Sequence, residues 1–345
     1  MTGGRVRVLI GTPLDAALVE RVRAVDPRLA VTFRPELLGT PRYVADHHPP
    51  DGRDEAAEAT FRALLAETEV LFDFDAKTAP HLTTLAPRLR WVQATSAGVG
   101  QAVRSFGLHE TDVIVTTASG VHAGPLAEFV IMAMLMFTKR YPYLAALQER
   151  REFERLCTGE LPGRTLAIVG PGRVGREIAR LARPFGLRLT ALGRTNRPAA
   201  ELGVDRVYTR DGLHAMLGEA DFVTLIVPHT AETEGLIGAA EIAAMKPGAV
   251  LINIARGQVL DEDALLAALR SGHLAGAALD VFREEPLPPD SPFWALPNVI
   301  VSPHSASTAD SEDRKIIDVF CENLRHYLDG RPEWMRNVLD KERLY

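Results

Sequence analysis

Three polar side chains lie at or just beyond the ends of predicted strands, and their types are those that bind anions and move protons. They are Arg256, Asp280 and His304, and the strands before them are predicted over residues 249–254, 276–280 and 298–302. A guanidinium binds carboxylates, and an imidazole transfers protons near neutral pH. In a doubly wound sheet the carboxyl ends of the strands open on one crevice, so we expect these side chains to lie together.

A glycine-rich turn lies upstream, between a predicted buried strand over residues 166–169 and a helix. The turn and the first helical residues are Gly170, Gly172, Arg173, Val174 and Gly175. In a dinucleotide-binding βαβ unit the first glycine allows a tight turn, the second lets a pyrophosphate approach, and the third lets helix and strand pack. The helix start offers N–H groups to phosphates. Glycines also cluster in ordinary turns, but the strand and helix on either side favour the dinucleotide site.

The residues after the next predicted strand, 187–192, indicate which dinucleotide is bound. About 20 residues past the glycine turn, an acidic side chain normally accepts a hydrogen bond from the ribose 2′-OH of NAD. Here Gly193 stands at that position, and Arg194, Thr195 and Arg197 follow it. Because guanidinium groups bind a 2′-phosphate, this turn favours NADP(H), with NAD(H) possible. The alternative is a surface turn with solvated arginines.

A turn of small residues follows the predicted strand 90–94 in the first third of the chain. It contains Ala97, Gly98 and Val99. Because it ends a strand, its backbone N–H groups are placed to hold a carboxylate, and the alternative is a plain turn.

Composition excludes several classes of protein. The 345 residues suffice for two domains, and the net charge of −6 without a long basic run argues against a nucleic-acid partner. The longest apolar run has about ten residues, too short for a membrane span. The start lacks the apolar segment of a signal peptide. The two cysteines, Cys157 and Cys321, match neither a disulfide framework nor a metal site, so a cytoplasmic protein with reduced thiols is expected.

Two further segments differ in their predicted exposure to solvent. Residues 124–150 predict one long helix that is apolar nearly all round, which suits either the core or a subunit interface. Residues 34–54 are rich in Pro, Gly and charge and predict an exposed loop. The loop contains His47 and His48, for which a solvated position is favoured over a metal site because further ligands at suitable spacing are missing.

Four motifs in order resemble the D-isomer-specific 2-hydroxyacid dehydrogenase family. They are Val-Pro-His-Thr-Ala-Glu-Thr at 227–233, Ile-Asn-Ile-Ala-Arg-Gly at 252–257, Ala-Leu-Asp-Val-Phe through Glu-Pro-Leu-Pro at 278–288, and Val-Ser-Pro-His at 301–304. The resemblance is strong from about residue 90 to 310. Before that it rests only on the alternation of strands and helices.

The resemblance implies a role for each site residue. Arg256 would bridge the carboxylate and keto oxygen of a 2-keto acid, His304 would be the general acid or base, and Glu285 would bond the other ring nitrogen and favour the imidazolium. The backbone of Ala97, Gly98 and Val99 would hold the substrate carboxylate. The further cofactor contacts would be Val227, Pro228, Thr233, a backbone carbonyl at Ile254, Asp280 at the nicotinamide carboxamide, and His304. No metal is implied.

The same resemblance implies two α/β domains, Rossmann-like or flavodoxin-like and doubly wound, with a cleft between them. Residues 1–122 and 308–345 would form the substrate domain, and residues 123–307 the dinucleotide-binding domain, through which members usually form a homodimer. The predicted reaction is reduction of glyoxylate, hydroxypyruvate or a bulkier 2-keto acid with NADPH. Formate is disfavoured, because the formate dehydrogenases carry glutamine where Glu285 stands. The alternative function is a dinucleotide-sensing regulatory protein.

Overall fold

Two separate parallel sheets organise the chain. The computed structural model describes residues 5–195 and 197–344. The first unit combines Met1–Val121 with Thr308–Tyr345, and the second unit is His122–Ser307.

The first unit contains a sheet of five parallel strands. They are β1 (Val6–Ile10), β2 (Leu29–Thr32), β3 (Val70–Phe72), β4 (Trp91–Gln93) and β5 (Ile114–Thr116). Their order, β2-β1-β3-β4-β5, is that of flavodoxin-like sheets. The helices are α1 (Ala16–Arg23), α2 (Glu55–Glu67), α3 (Leu82–Leu85), α4 (Gly100–Ser105) and the C-terminal helix (Glu312–Leu328).

The second unit contains a sheet of seven parallel strands. They are β6 (Thr165–Val169), β7 (Arg188–Leu192), β8 (Arg206–Tyr208), β9 (Phe222–Leu225), β10 (Val250–Asn253), β11 (Gly276–Leu279) and β12 (Val299–Val301). Their order, β12-β11-β10-β9-β6-β7-β8, is the Rossmann order extended by one strand. The helices are α5 (Ala123–Thr138), α6 (Tyr141–Arg150), α7 (Arg173–Ala182), α8 (Ala199–Leu202), α9 (Leu213–Glu219), α10 (Ala239–Ala244) and α11 (Glu262–Ser271). The two sheets confirm the predicted doubly wound α/β class.

Helices cover both faces of the second sheet, which explains why its central strands are mostly apolar and fully buried. All five residues of β6 are buried. One face packs on α5 and α7 through side chains such as Val130 and Ile178, and the other packs through Met216 and Leu265. Parallel strands buried on both faces are continuous apolar runs, as the sequence showed. No helix in the described part of the chain is long and apolar enough to cross a membrane.

The prediction of one helix over residues 124–150 was wrong. The segment forms α5 and α6, which are separated at Lys139 and Arg140, and Arg140 has a left-handed backbone with φ 54°. Pro142 lies in the first turn of α6, a position where proline is favoured because its missing N–H needs no partner there. Four short elements, α4, α8, β8 and α9, were not predicted from the sequence.

The prediction of an exposed loop over residues 34–54 was also wrong in part. Pro35–Leu37 forms a short 3-10 helix, and Asp46 is buried. The side chain of His47 is only 7% exposed, because it packs against the start of the C-terminal helix.

Candidate active site

The glycine turn between β6 and α7 shows a separate reason for each glycine. Gly170 has φ 108°, and a Cβ there would lie 2.9 Å from the carbonyl oxygen of Ile226. A Cβ on Gly175 would lie 2.5 Å from the carbonyl oxygen of Gly170. A Cβ on Gly172 would meet nothing within 4 Å, so this backbone is open to a ligand. The turn therefore fits the pyrophosphate of a dinucleotide.

The remaining predicted cofactor residues lie at the carboxyl edge of the same sheet. Arg173 and Val174 form the first turn of α7, directly after Gly172. Val227 and Pro228 come shortly after β9, and the Thr233 hydroxyl donates to the carbonyl oxygen of Pro228 at 2.6 Å. Ile254, buried, directly follows β10.

The turn after β7 carries cations at the surface. The guanidinium of Arg194 lies 3.6 Å from the carboxylate of Glu232, and that of Arg197 lies 3.2 Å from Glu201. All four side chains are about half exposed or more, and such ion pairs are weak in water. Thr195, also exposed, lies between the two arginines. These pairs are weak enough to give way to an incoming phosphate.

His304 and Glu285 form a direct pair. The Nδ1 atom of His304 lies 2.7 Å from Oε2 of Glu285, and the backbone N–H of Phe282 donates to Oε1 at 2.9 Å. His304 lies three residues after the end of β12 and has φ 55°. A left-handed backbone at a non-glycine residue costs about 1–3 kcal/mol and is concentrated at functional sites. The pairing leaves Nε2 as the ring nitrogen that can exchange a proton with a ligand.

Arg256 lies in the neighbouring loop, after β10. Burial lowers the pKa of its guanidinium, while the negative charges of Glu285 and Asp280 act in the opposite direction. The adjoining Gly257 packs directly against the backbone of Phe282, because a Cβ at Gly257 would overlap that backbone. The Arg256 loop and the Glu285 loop are therefore packed together, as expected from the sequence.

Asp280 is 2% exposed and fixes the segment that carries His304. Its Oδ1 accepts hydrogen bonds from the Ser302 hydroxyl at 2.5 Å and from the backbone N–H groups of Ser305 and Ala306. Its backbone carbonyl accepts from the N–H of His304 at 2.8 Å. The structure thus brings together the predicted residues of β10, β11 and β12.

Sequence analysis missed two residues that support this loop. A carboxylate oxygen of Glu262 accepts from the backbone N–H of Arg283 at 2.7 Å, and the Gln258 amide contacts the Arg283 carbonyl at 3.4 Å. Burial raises the pKa of the Glu262 carboxyl. Both residues hold the chain just before Glu285, and no motif spacing marks them.

The turn of small residues belongs to the first unit. Ala97 and Gly98 are exposed and Val99 is buried, and α4 begins at the next residue. Gly100 contacts the backbone of Leu344 so closely that no side chain would fit there. In the described part of the chain, no group of three or more His, Cys, Asp or Glu side chains is placed to hold a metal ion.

Comparison with known proteins places this geometry in a family. Residues 131–306 match the family model described as D-isomer specific 2-hydroxyacid dehydrogenase, NAD binding domain. The glyoxylate reductase of Korarchaeum cryptofilum is 44% identical over 74% of this chain and 78% of its own length. Glyoxylate/hydroxypyruvate reductase B of Pectobacterium carotovorum is 35% identical over 77% of this chain and 84% of its own length.

A solved structure agrees with these relatives. The NADPH-dependent glyoxylate/hydroxypyruvate reductase of Sinorhizobium meliloti, in complex with NADP and sulfate, superposes with a TM-score of 0.79 at 28% identity. The match covers 99% of this chain and 100% of that one. These proteins confirm the predicted enzyme class and do not favour the alternative of a dinucleotide-sensing regulator. The chain belongs to the D-isomer-specific 2-hydroxyacid dehydrogenase family and is an NAD(P)-dependent oxidoreductase.

Proposed function

We propose that the protein reduces a small 2-keto acid to the 2-hydroxy acid, in the D configuration where C2 becomes chiral. Glyoxylate and hydroxypyruvate are the first substrates to consider. The observation that carries the proposal is the 2.7 Å contact between His304 and Glu285 beside the buried Arg256 loop. The named activities of the Korarchaeum and Pectobacterium relatives support the substrate class.

In this mechanism the guanidinium of Arg256 binds the substrate carboxylate and polarises the keto oxygen. His304 donates a proton from Nε2 to that oxygen, and it takes the proton back in the reverse reaction. Glu285 accepts a hydrogen bond from Nδ1 and orients the ring. The backbone of Ala97, Gly98 and Val99 is a further site for the substrate carboxylate. When bound, the reduced nicotinamide supplies the hydride.

We propose that the second unit, residues 123–307, is the dinucleotide-binding domain and that residues 1–122 with 308–345 form the substrate domain. Gly170, Gly172, Arg173, Val174 and Gly175 would hold the pyrophosphate. Val227, Pro228, Thr233, Ile254, Asp280 and His304 would contact the rest of the cofactor. Asp280 is assigned to the nicotinamide carboxamide.

We propose NADP(H) as the preferred cofactor. Gly193 has no side chain to repel a 2′-phosphate, and Arg194, Thr195 and Arg197 belong to the turn that would receive it. The Sinorhizobium structure, which contains NADP, supports the same preference.

The test is steady-state oxidation of NADPH and of NADH with a panel of 2-keto acids. We expect turnover with both cofactors and a kcat/KM at least about tenfold higher with NADPH, because a 2′-phosphate adds charge-assisted hydrogen bonds. Turnover with NADH alone would overturn the cofactor preference and leave the reaction intact. Absence of turnover with either cofactor would overturn the proposed reaction.

We further propose a cytoplasmic homodimer that forms through the second unit. Met132, Tyr141 and Leu144 are each more than a third exposed on α5 and α6, and Phe153 is fully exposed. Exposed apolar side chains that a partner can cover are candidates for an interaction surface. Both cysteines are free thiols, which suits a reducing compartment. Light scattering at micromolar concentration should give twice the chain mass, and a monomer mass would contradict the proposal.

A further inference from the structure

Residues 42–48, in the middle of the 34–54 segment, are fixed by contacts within the segment and with the rest of the first unit. The carboxylate of Asp46 binds the guanidinium of Arg42 at 2.8 and 3.0 Å. The ring of His47 lies 2.7 Å from Asp313, and its carbonyl accepts from the Thr12 hydroxyl at 2.7 Å. The backbone that carries the next residue, His48, therefore has a defined position.

His48 itself points to an acidic group that is buried. Its ring is 55% exposed, and Nε2 lies 4.0 Å from Oδ2 of Asp73, whose side chain is 3% exposed. The same Oδ2 accepts a hydrogen bond from the Thr95 hydroxyl at 2.8 Å. Asp73 has φ 60°, and non-glycine residues in this conformation are concentrated at functional sites.

These residues share the edge of the sheet at which open α/β sheets bind ligands. Asp73 directly follows β3, and Thr95 comes two residues after β4, its neighbour in the sheet. Thr95 also begins the turn that continues into Ala97, Gly98 and Val99, for which carboxylate binding is proposed above. His48 therefore lies at the carboxyl end of β3, and that turn follows the carboxyl end of the neighbouring β4.

The chemistry of His48 and Asp73 restricts which substituent of a ligand can bind beside them. The half-exposed imidazole of His48 offers an N–H to a ligand. The carboxylate of Asp73 next to it repels a negatively charged substituent of that ligand. A hydroxyl carries no charge and exchanges one hydrogen bond with the ring. We propose that His48, supported by Asp73, is a specificity-determining residue that selects a 2-keto acid with a hydroxyl group on C3. This inference rests on the proposed function.

The test compares kcat/KM for hydroxypyruvate, pyruvate and oxaloacetate, which carry on C3 a hydroxyl, no substituent and a carboxylate. In the wild type we expect hydroxypyruvate to be preferred over both others. In His48→Ala the ratio of hydroxypyruvate to pyruvate should fall about tenfold, the value of one hydrogen bond, with kcat/KM for pyruvate within about threefold of wild type. His48→Gln retains an N–H donor and should retain most of the ratio.

His81→Ala is the matched control, since His81 is an exposed histidine of the same unit at the end of a 3-10 helix. It should leave the ratio unchanged. An unchanged ratio in His48→Ala, or a wild-type preference for oxaloacetate, would overturn this inference while turnover of keto acids upheld the proposed function. Absence of turnover with every keto acid would instead overturn the proposed function.

Discussion

The two units each contain a histidine 2.7 Å from a carboxylate, and the two pairs differ in burial. His304 and Glu285 in the second unit have side chains 43% and 35% exposed. His47 and Asp313 in the first unit have side chains 7% and 19% exposed. An exposed ring at a strand end can exchange a proton with a ligand, whereas a ring enclosed by protein cannot. The burial of the ring, and not its distance from the carboxylate, therefore distinguishes a histidine that can exchange protons with a ligand from one that cannot.

The surroundings of His47 favour the charged form of its ring. Burial lowers the pKa of its ring, but the hydrogen bond to Asp313 and the charges of Asp73, Asp313 and Glu312 raise it, and the net direction is upward. The pair therefore joins the 34–54 segment to the C-terminal helix as a partly buried ion pair. Removing one partner of such a pair leaves the other charge uncompensated.

The largest expected effect is on catalysis at the exposed pair. His304→Asn should lower kcat by about a thousandfold, because the general acid is lost, while NADPH still binds. Steady-state kinetics and a fluorescence titration with NADPH measure the two quantities. A kcat within threefold of wild type would show that His304 is not the general acid. The difference in burial between the two pairs would then not correspond to a difference in role.

The next effect is on stability at the buried pair. His47→Gln should lower the free energy of unfolding by about 3 kcal/mol, because Asp313 keeps its charge without a partner. Urea unfolding measures the loss, and His81→Gln serves as an exposed control that should change it by less than about 0.5 kcal/mol. The keto acid kcat should stay within threefold of wild type. A large loss of kcat without loss of stability would show that the buried pair has a catalytic role.

The smallest effect is the pH dependence of that stability. Because the pKa of His47 is higher in the folded chain than in the unfolded chain, its contribution is fully present below the unfolded value of about 6.5. The contribution is lost as pH rises through the folded value, by no more than about 1.4 kcal/mol per pH unit. The stability difference between wild type and His47→Gln should therefore be largest in mildly acid buffer and shrink in alkaline buffer. A difference that grows with pH would reverse the assignment of His47 as a cation.

The sequence predicted the second unit better than the first. Its strands are continuous apolar runs, and polar or glycine residues mark their ends, so β6 and the residues after β10, β11 and β12 were located directly. The break at Arg140 was missed because the apolar pattern continues across it. Pro142 was the available signal, since proline near a helix start is favoured.

The family resemblance added Glu285 to the predicted site. The sequence by itself determined the order of the motifs and the strand–turn–helix around Gly172, and it predicted Arg256 and His304 as site residues beyond the ends of their strands. Each is encoded in neighbouring residues, or in the rule that parallel strands bring their carboxyl ends to one edge. Only the tertiary structure decided that His47 is buried against Asp313, 266 residues away in the chain, and that Glu262 holds the turn before Glu285. Contacts over such separations depend on how helices and loops pack, and the spacing of residues in the sequence does not predict that packing.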